Sequence, residues 1–283
     1  VATLTMLGEM LDPLRRDESP FATAVPRMYA KDAVWVEPQL VAEVDYTEWT
    51  REGRLRHPAF NGLRDDNDLD AAPQFAPERV DYGGVYEWKN KILPEAYKTF
   101  HATTSVDLRG KFETFAQDNA SWLDDYALYK AVKASQGQKA WYEWDTPLKL
   151  REPGAIAMIA ETLYDEIQAE KFYQFLFFRQ WSAVKEYANR GGVSIAGDIP
   201  IFIALDSADV WCNQDKFKLN ADGSARVVAG VPPDYFSKTG QLWGNPIYDW
   251  DRMRADKYEW WIARVSATLQ TVDVVRVDHF RGF

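Results

Sequence analysis

The spacing of apolar side chains divides the sequence into a β-rich first part and a largely helical second part. Between 33 and 50, β-branched and aromatic residues recur at short intervals, broken by Pro38, and this predicts one long bent strand or a pair of strands. A stretch rich in Asp, Asn and Pro, 63–78, then predicts a turn and a linker. We therefore place a boundary near 71–78.

From Arg79 onward the apolar residues have helical spacing. Within 121–134, aromatic residues recur every three or four positions, as they do on one face of a helix. The stretch 155–190 predicts two helices or one bent helix, which ends at Gly191–Gly192. A further helix is predicted over 251–270.

Two short apolar runs, 193–204 and 272–280, have the composition of buried strands. A loop-rich stretch and the last predicted helix separate them. Strand, loop, helix and strand in that order are typical of a parallel α/β fold. The sequence therefore predicts three segments: a small β-rich segment over 1–72, a linker over 73–78 and an α/β domain over 79–283.

Composition narrows the class of protein. The 283 residues include 33 Lys or Arg and 43 Asp or Glu, and the formal net charge of −10 disfavours general binding to nucleic-acid backbone. No apolar run approaches the about 20 residues of a membrane span. One cysteine, Cys212, excludes an internal disulfide and fits a cytoplasmic location. The 12 Trp, 14 Tyr and 15 Phe indicate aromatic cores or ring-stacking surfaces.

Charged residues stand at the ends of the two predicted strands of the α/β domain. Arg276 and Asp278 are two positions apart, so in a strand they share a face, and the guanidinium favours the ionised carboxylate. An ionised carboxylate at a barrel-strand end suits the nucleophile of a retaining glycosidase, and His279 adds a donor for a sugar hydroxyl. Asp198 ends the other strand. The alternatives are a structural ion pair and, for Asp198, a turn or cap.

The loop 229–250 between these strands combines Pro232–Pro233, which stiffens the backbone, with glycines that let it bend. It carries the rings of Tyr235, Phe236 and Trp243. Sugar C–H faces pack on aromatic faces while sugar hydroxyl groups pair with acids. The pattern therefore leaves two interpretations, a carbohydrate site and a packed Ω-loop.

Six sequence runs occur in an order that is typical of one enzyme family: RVDYGGVYEWK, WLDDYALYKAVK, FLFFRQW, GDIPIFIALDSADVW, VVAGVPPDYFSKTGQLWGNPIYDW and VVRVDHFRGF. Over about 79–283 the sequence resembles the 4-alpha-glucanotransferases, or amylomaltases, of glycoside hydrolase family 77. The resemblance implies a partial (β/α)8 TIM-barrel-like segment with a helical insertion. It also implies transfer of α-1,4-glucan segments, with maltodextrin as ligand and no cofactor.

The resemblance assigns a role to each candidate site residue. Asp278 corresponds to the nucleophile that forms the glucosyl-enzyme ester, and Arg276 to its orienting partner. Asp198 and His279 correspond to sugar contacts near the cleaved bond. The mobile loop that shields the ester from water corresponds to Tyr235, Phe236, Gln241 and Trp243.

The resemblance also implies that this sequence is incomplete. A retaining mechanism needs a second carboxylate about 5 Å from the nucleophile, and the family's acid/base Glu and stabilising Asp lie downstream of the nucleophile strand. The family's first two barrel strands have no counterpart before Arg79, and both ends of the sequence look cut. We expect the 283 residues alone to lack transferase activity, and their unpaired apolar edges to favour homo-oligomers.

The first segment shows a different resemblance. The runs WVEPQLVAEVDYTEWT and GRLRHPAFNGLRDD resemble the C-terminal OB-fold domain of LigD-type ATP-dependent DNA ligases. Short β-rich strands suit such a small barrel, and a basic cluster able to meet DNA phosphates comprises Arg51, Arg54, Arg56 and Arg64. A solvated turn is the alternative for this cluster. The acidic run DDNDLD lacks the Gly and closing Glu of a Ca²⁺ loop, so we expect no metal.

Three hypotheses follow from the two resemblances. The chain is a glucanotransferase-like fragment that carries Asp278, a nucleic-acid-binding OB-fold module with a helical partner, or a recombined chimera without activity. A change in Trp fluorescence with maltodextrin favours the first hypothesis, because Trp243 lies on the sugar loop. Salt-sensitive binding to nicked DNA favours the second. The absence of both signals favours the third.

Overall fold

The computed structural model describes residues 7–8, 11–21, 25–26, 30–31, 33–38, 41–45, 48–49, 55–56, 59–64, 78–103, 106–235 and 237–282. The chain divides into two compact units, 1–92 and 93–283. Most of the predicted linker 73–78 lies outside the described residues. The predicted limits of the three segments therefore stay a prediction.

The described residues form ten strands and nine α-helices. The strands are β1 (Arg15–Arg16), β2 (Trp35–Val36), β3 (Val41–Asp45), β4 (Glu48–Trp49), β5 (Leu55–Arg56), β6 (Ala59–Arg64), β7 (Ala196–Ile199), β8 (Val228–Val231), β9 (Gln241–Pro246) and β10 (Val274–Val277). The helices are α1 (Tyr82–Thr103), α2 (Val106–Asp118), α3 (Ala120–Ser135), α4 (Thr146–Lys149), α5 (Pro153–Thr162), α6 (Tyr164–Arg190), α7 (Ala208–Cys212), α8 (Trp250–Ala255) and α9 (Glu259–Thr271). Among these helices, none is both long and apolar enough to span a membrane.

The described residues of the first unit form three antiparallel strand pairs, β1–β2, β3–β6 and β4–β5. The longest pair, β3–β6, aligns Val41 with Arg64 and has a bulge between Glu43 and Val44. The region 33–50 therefore holds three short strands, β2, β3 and β4, where the sequence pattern predicted one long strand or two. These strands agree with the β-forming pattern of 33–50.

Most of the predicted helices of the second unit are confirmed. Helix α3 covers the predicted helix 121–134, and the region 155–190 forms two helices, α5 and α6. The prediction of one continuous helix over 251–270 is wrong, because Lys257 and Tyr258 have φ angles of +57° and +60°. A left-handed backbone cannot continue an α-helix, so the region is split into α8 and α9.

Strands β7 and β10 pair in parallel, with Ala196 opposite Val274 and Ile199 opposite Val277. The predicted parallel pairing is confirmed, but both strands are shorter than predicted. They are also less buried than predicted, since Val274 is 56% and Val277 37% exposed. Within the described part of the chain these two strands have only each other as neighbours in the sheet, so side chains at the pair's edges stay open to solvent.

Two aromatic-rich cores account for much of the ring content. The larger core includes buried Trp141, Trp144, Trp211, Tyr248 and Trp261. Two of these indole nitrogens donate to backbone carbonyl groups: that of Trp141 to Leu205 at 2.6 Å and that of Trp211 to Leu148 at 3.0 Å.

The smaller core is helical and consists of Tyr97, Phe100, Phe112, Phe172 and Phe175. The rings of Phe100 and Phe172 have centroids 4.5 Å apart, and those of Phe100 and Phe112 meet edge to face at 5.4 Å. Offset and edge-to-face contacts of this kind stabilise a core beyond the area they bury. The rings of these two cores therefore have a structural role.

Candidate functional site

The parallel register of β7 and β10 places Asp198 directly opposite Arg276. The two side chains form a fork, in which Nε of Arg276 donates to Oδ1 of Asp198 at 3.1 Å and Nη2 pairs with Oδ2. The sequence pattern had predicted Asp278 as the partner of Arg276. The cross-strand neighbour takes the guanidinium instead, because a bidentate geometry needs a carboxylate beside the arginine rather than further along its own strand.

The fork is exposed, with 74% of the Arg276 side chain and 46% of the Asp198 side chain open to solvent. The hydrogen bonds from Arg276 hold the pKa of Asp198 below its usual range. The same hydrogen bonds, with a smaller attraction from the charge of Asp278, raise the pKa of Arg276. Both groups of the fork therefore remain ionised, and both face solvent where a ligand can reach them.

Asp278 follows β10 immediately and extends its pairing by one residue, since its N–H donates to the carbonyl of Ile199 at 3.1 Å. The chain then turns at His279, whose φ of +47° lies in the left-handed region. A 3₁₀ turn follows over Phe280–Gly282, and the N–H of Gly282 donates to the carbonyl of His279 at 2.8 Å. Asp278 thus lies at the carboxyl end of the parallel pair, next to a strained turn.

The histidine in this turn meets an aromatic residue of the predicted sugar loop. The rings of His279 and Trp243 stand edge to face with centroids 5.1 Å apart. The indole nitrogen of Trp243 donates to Oε1 of Gln241 at 3.0 Å, and the ring of Phe202 also contacts that of Trp243, with centroids 6.3 Å apart. The structure therefore brings two loop residues next to the strand-end charges.

The predicted loop is in large part a hairpin of β8 and β9. Glycines allow the two strands to approach, as a Cβ atom on Gly230 would stand 2.5 Å from the carbonyl oxygen of Gln241. Gly240 has a φ of +73°, which favours glycine. Tyr235 has a fully exposed side chain in the turn between the two strands, whereas Phe236 lies outside the described residues.

One neighbour of the site was missed by the sequence reasoning. Phe202 follows β7 by three positions and packs against both Trp243 and Tyr248. Its position just beyond the carboxyl end of a parallel strand is the signal that identifies it, because side chains beyond that end face the ligand side of α/β folds.

The side chains of the nucleic-acid hypothesis lie outside what the structure describes. Arg51 and Arg54 lie outside the described residues. Arg56 belongs to β5 and Arg64 to β6, where the backbone alone is described. The acidic run 65–70 also lies outside. In the part of the chain that the structure describes, no cluster of His, Cys, Asp and Glu could hold a metal ion.

Comparison with known proteins gives consistent matches over most of the chain. Residues 9–283 match the sequence profile of the family described as 4-alpha-glucanotransferase. The 4-alpha-glucanotransferase of Synechocystis is 46% identical over 216 residues, which cover 76% of this chain and 43% of the relative. That of Thermus thermophilus is 46% identical over 211 residues, covering 75% of this chain and 42% of the relative.

A solved structure agrees with these sequences. The amylomaltase of Streptococcus agalactiae in complex with acarbose is 39% identical, with a TM-score of 0.71, and the match covers 77% of this chain and 44% of that chain. This chain therefore spans less than half the length of each of these three relatives.

The ligase domain of M. tuberculosis LigD matches a smaller part. It is 48% identical and covers 25% of this chain and 23% of that chain, with a TM-score of 0.23. A structural likeness at that level supports no argument about the fold. The OB-fold segment and its DNA binding therefore stay predictions.

Proposed function

Because this chain belongs to glycoside hydrolase family 77, the 4-alpha-glucanotransferases, we propose that its strand-end site binds α-1,4-glucan and supplies the nucleophile for retaining glucan transfer. One observation carries the proposal. Asp278 lies at the carboxyl end of β10, beside the Asp198–Arg276 fork and the His279–Trp243 pair. Charged groups and an aromatic face at one sheet end are the combination that a sugar ring requires.

The proposed chemistry begins with attack by a carboxylate oxygen of Asp278 on the anomeric carbon. The glycosidic C–O bond breaks, an ester to Asp278 forms, and the departing 4-oxygen takes a proton from an acid. The 4-hydroxyl of an acceptor glucan then attacks the anomeric carbon from the face that the leaving group vacated, opposite to the ester. The bond from the anomeric carbon to Asp278 breaks, and the hydroxyl proton goes to the group that served as the acid, so the α configuration is retained. Arg276 is hydrogen-bonded to Asp198 and attracts the charge of Asp278 more weakly, while Trp243 offers a ring face to the sugar.

Asp198 does not fit the role of the proton donor. Its hydrogen bonds with Arg276 lower its pKa, so that it carries no proton at neutral pH. Its ionised oxygens are acceptors, which suits contacts with sugar hydroxyl groups. The acid of the reaction must therefore come from a group other than the fork.

We also propose that β7 and β10 are neighbouring strands of a (β/α)8 barrel. Their parallel pairing, the helices between them and the position of the charged residues at the carboxyl end support this architecture. Two strands cannot close such a barrel. The purified 283-residue chain should therefore show no disproportionation of maltotriose, and measurable glucose release from maltotriose would contradict this part of the proposal.

Glucan binding is tested by calorimetric titration of the chain with maltoheptaose. Trp243→Ala removes the ring face and should weaken binding about tenfold, a loss within the range of about 0.5–1.5 kcal/mol that an aromatic ring contact contributes. Tyr187→Ala is the matched control, because Tyr187 is an aromatic residue on α6 that is 76% exposed. Equal affinity for the Trp243→Ala variant and the wild type would contradict a sugar site at this position.

The nucleophile is tested with 5-fluoro-α-glucosyl fluoride, which needs no acid because fluoride leaves unprotonated. The C1–F bond breaks as the bond from C1 to a carboxylate oxygen forms, and the labelled peptide is found by mass spectrometry. We expect the label on Asp278 and none on the Asp278→Asn variant. A label on Asp198, or equal labelling of the variant, would overturn the assignment.

A further inference from the structure

We infer that Arg264 is a positioning residue for this site, because it holds the segment 200–203 on which the turn with Asp278 and His279 rests. The inference deepens the proposed function and rests on it for the ligand. Arg264 itself lies on α9 and contacts backbone rather than the fork.

Arg264 binds two successive carbonyl groups just beyond β7. Its Nη2 donates to the carbonyl of Pro200 at 2.6 Å, and its Nη1 donates to that of Ile201 at 3.2 Å. The hydroxyl of Tyr248 donates to the same Ile201 carbonyl at 2.5 Å and accepts from Nη1 of Arg264 at 3.1 Å. One guanidinium and one phenol therefore bind the carbonyl groups of this bend, which lies outside the strand pairs of the described residues.

The segment 200–203 supports both halves of the site. The side chain of Ile201 is 3% exposed, and a Cβ atom on Gly282 would stand 2.7 Å from its Cδ1. The turn after Asp278 is therefore packed directly on Ile201. On the other side, Nδ2 of Asn245 donates to the carbonyl of Ile203 at 2.8 Å and so ties β9, the strand of Trp243, to the same segment.

Arg264 is itself held firmly. Its guanidinium lies over the ring of Trp261 at 4.8 Å and that of Trp260 at 5.4 Å. Tyr248 is fully buried, and burial raises the pKa of its hydroxyl to about 12, although Arg264 acts against the shift. The phenol therefore keeps its proton and remains a donor at neutral pH.

The chain offers a matched control for a test of Arg264. Arg151 also stacks on an indole, at 4.3 Å from the ring of Trp211, and donates to Asp125 at 2.5 Å and to the sulfur of Cys212 at 3.1 Å. It makes no hydrogen bond to 200–203 among the contacts of the described residues. Arg→Lys at either position keeps the positive charge and removes the planar guanidinium group.

The experiment compares Arg264→Lys and Arg151→Lys in the whole chain by amide hydrogen exchange, thermal unfolding and maltoheptaose titration. Arg264→Lys should speed exchange of the 278–282 amides about tenfold and weaken maltoheptaose binding about fivefold. Arg151→Lys should lower Tm by a similar amount and change neither readout. Tyr248→Phe keeps the ring, removes the donor to Ile201 and should change exchange and binding by an intermediate amount. This variant tests the positioning role even if Arg264→Lys does not fold.

Two outcomes separate this inference from the proposed function. Equal exchange of the 278–282 amides in the Arg264→Lys, Tyr248→Phe and wild-type chains would overturn the positioning role, whatever the affinity for glucan. A wild-type chain that binds no maltoheptaose would contradict the proposed function, while faster exchange in the Arg264→Lys variant would still support the positioning role.

Discussion

The two ends of the β7–β10 pair carry similar charged residues in different surroundings. At the amino end, Asp273 accepts hydrogen bonds from the N–H of Ile195 at 2.8 Å and from Nδ2 of Asn189 at 2.7 Å, and Nζ of Lys185 lies 3.5 Å away. At the carboxyl end, the hydrogen bonds of Arg276 with described residues go to the carboxylate of Asp198. The side chains of the Lys185–Asp273 pair are 21% and 25% exposed, against 74% and 46% for Arg276 and Asp198.

This difference makes Lys185–Asp273 a structural ion pair and leaves Arg276–Asp198 able to contact a ligand. The pKa of Asp273 is lowered first by the Ile195 N–H and then by Asn189, whereas that of Asp198 is lowered first by Arg276. Lys185 also donates to the carbonyls of Gln270 and Val272, both at 3.3 Å. The charged groups at the amino end bind backbone groups, whereas those at the carboxyl end are accessible to a ligand. In parallel α/β barrels the amino ends of the strands likewise serve stability and the carboxyl ends carry the functional site.

The largest effect should come from filling the packed amino end. A Cβ atom on Gly197 would stand 2.8 Å from Cγ1 of Val272, a stiff β-branched side chain that is buried. Gly197→Ala should cost about 2 kcal/mol and lower Tm by about 4–8 °C. Gly110→Ala is the control, since nothing lies within 4 Å there, and should stabilise α2 by up to about 1 kcal/mol. Equal Tm values for the two variants would show that the amino end is not tightly packed.

A smaller loss of stability is expected when the amino-end cation is removed. Lys185→Met should cost about 1–2 kcal/mol, measured by urea unfolding, because two carbonyls and Asp273 lose a partner. Lys98→Met is the control, as Lys98 is 70% exposed and pairs with Glu95 on its own helix, so it should change stability by less than about 0.5 kcal/mol. Similar losses in both variants would remove the contrast between buried and exposed pairs.

Acid and salt should distinguish the two aspartates. Both have a lowered pKa when folded, so each adds stability above the unfolded value of about 3.9, which is lost as pH falls through the folded pKa. Asp273→Asn should reduce the pH dependence of the urea midpoint between pH 2 and 5, even in 1 M NaCl, because the donors to Asp273 include a backbone N–H and an amide. Asp198→Asn should reduce the pH dependence of the midpoint only at low salt, because the partner of Asp198 is an exposed charge. The same salt dependence for both variants would contradict this.

The smallest effect on stability should come from the carboxyl end itself. Asp278→Asn changes an exposed side chain that makes its ladder hydrogen bond through the backbone. Its Tm should stay within about 2 °C of the wild type, while labelling by the glucosyl fluoride disappears. A drop in Tm as large as that of Lys185→Met would make Asp278 a structural residue and would weaken the contrast between the two ends.

Local spacing predicted much of this fold. The helical intervals over 121–134 and 155–190 correspond to α3, α5 and α6, and the two apolar runs correspond to the parallel strands β7 and β10. These features depend on backbone periodicity and on side chains a few positions apart. The placement of Gln241, Trp243 and His279 in one site followed from the resemblance to the family, and the structure brings their side chains together.

Partner choice was decided by tertiary structure. Spacing placed Asp278 beside Arg276, but the parallel register brings Asp198 from 78 positions away into the better geometry. Lys185, Asp273 and Arg264 likewise gain their roles from backbone groups that are distant in sequence. The reason is physical: a hydrogen bond or ion pair forms with whichever group packing places at the right distance and angle, and the order of residues alone does not contain that geometry.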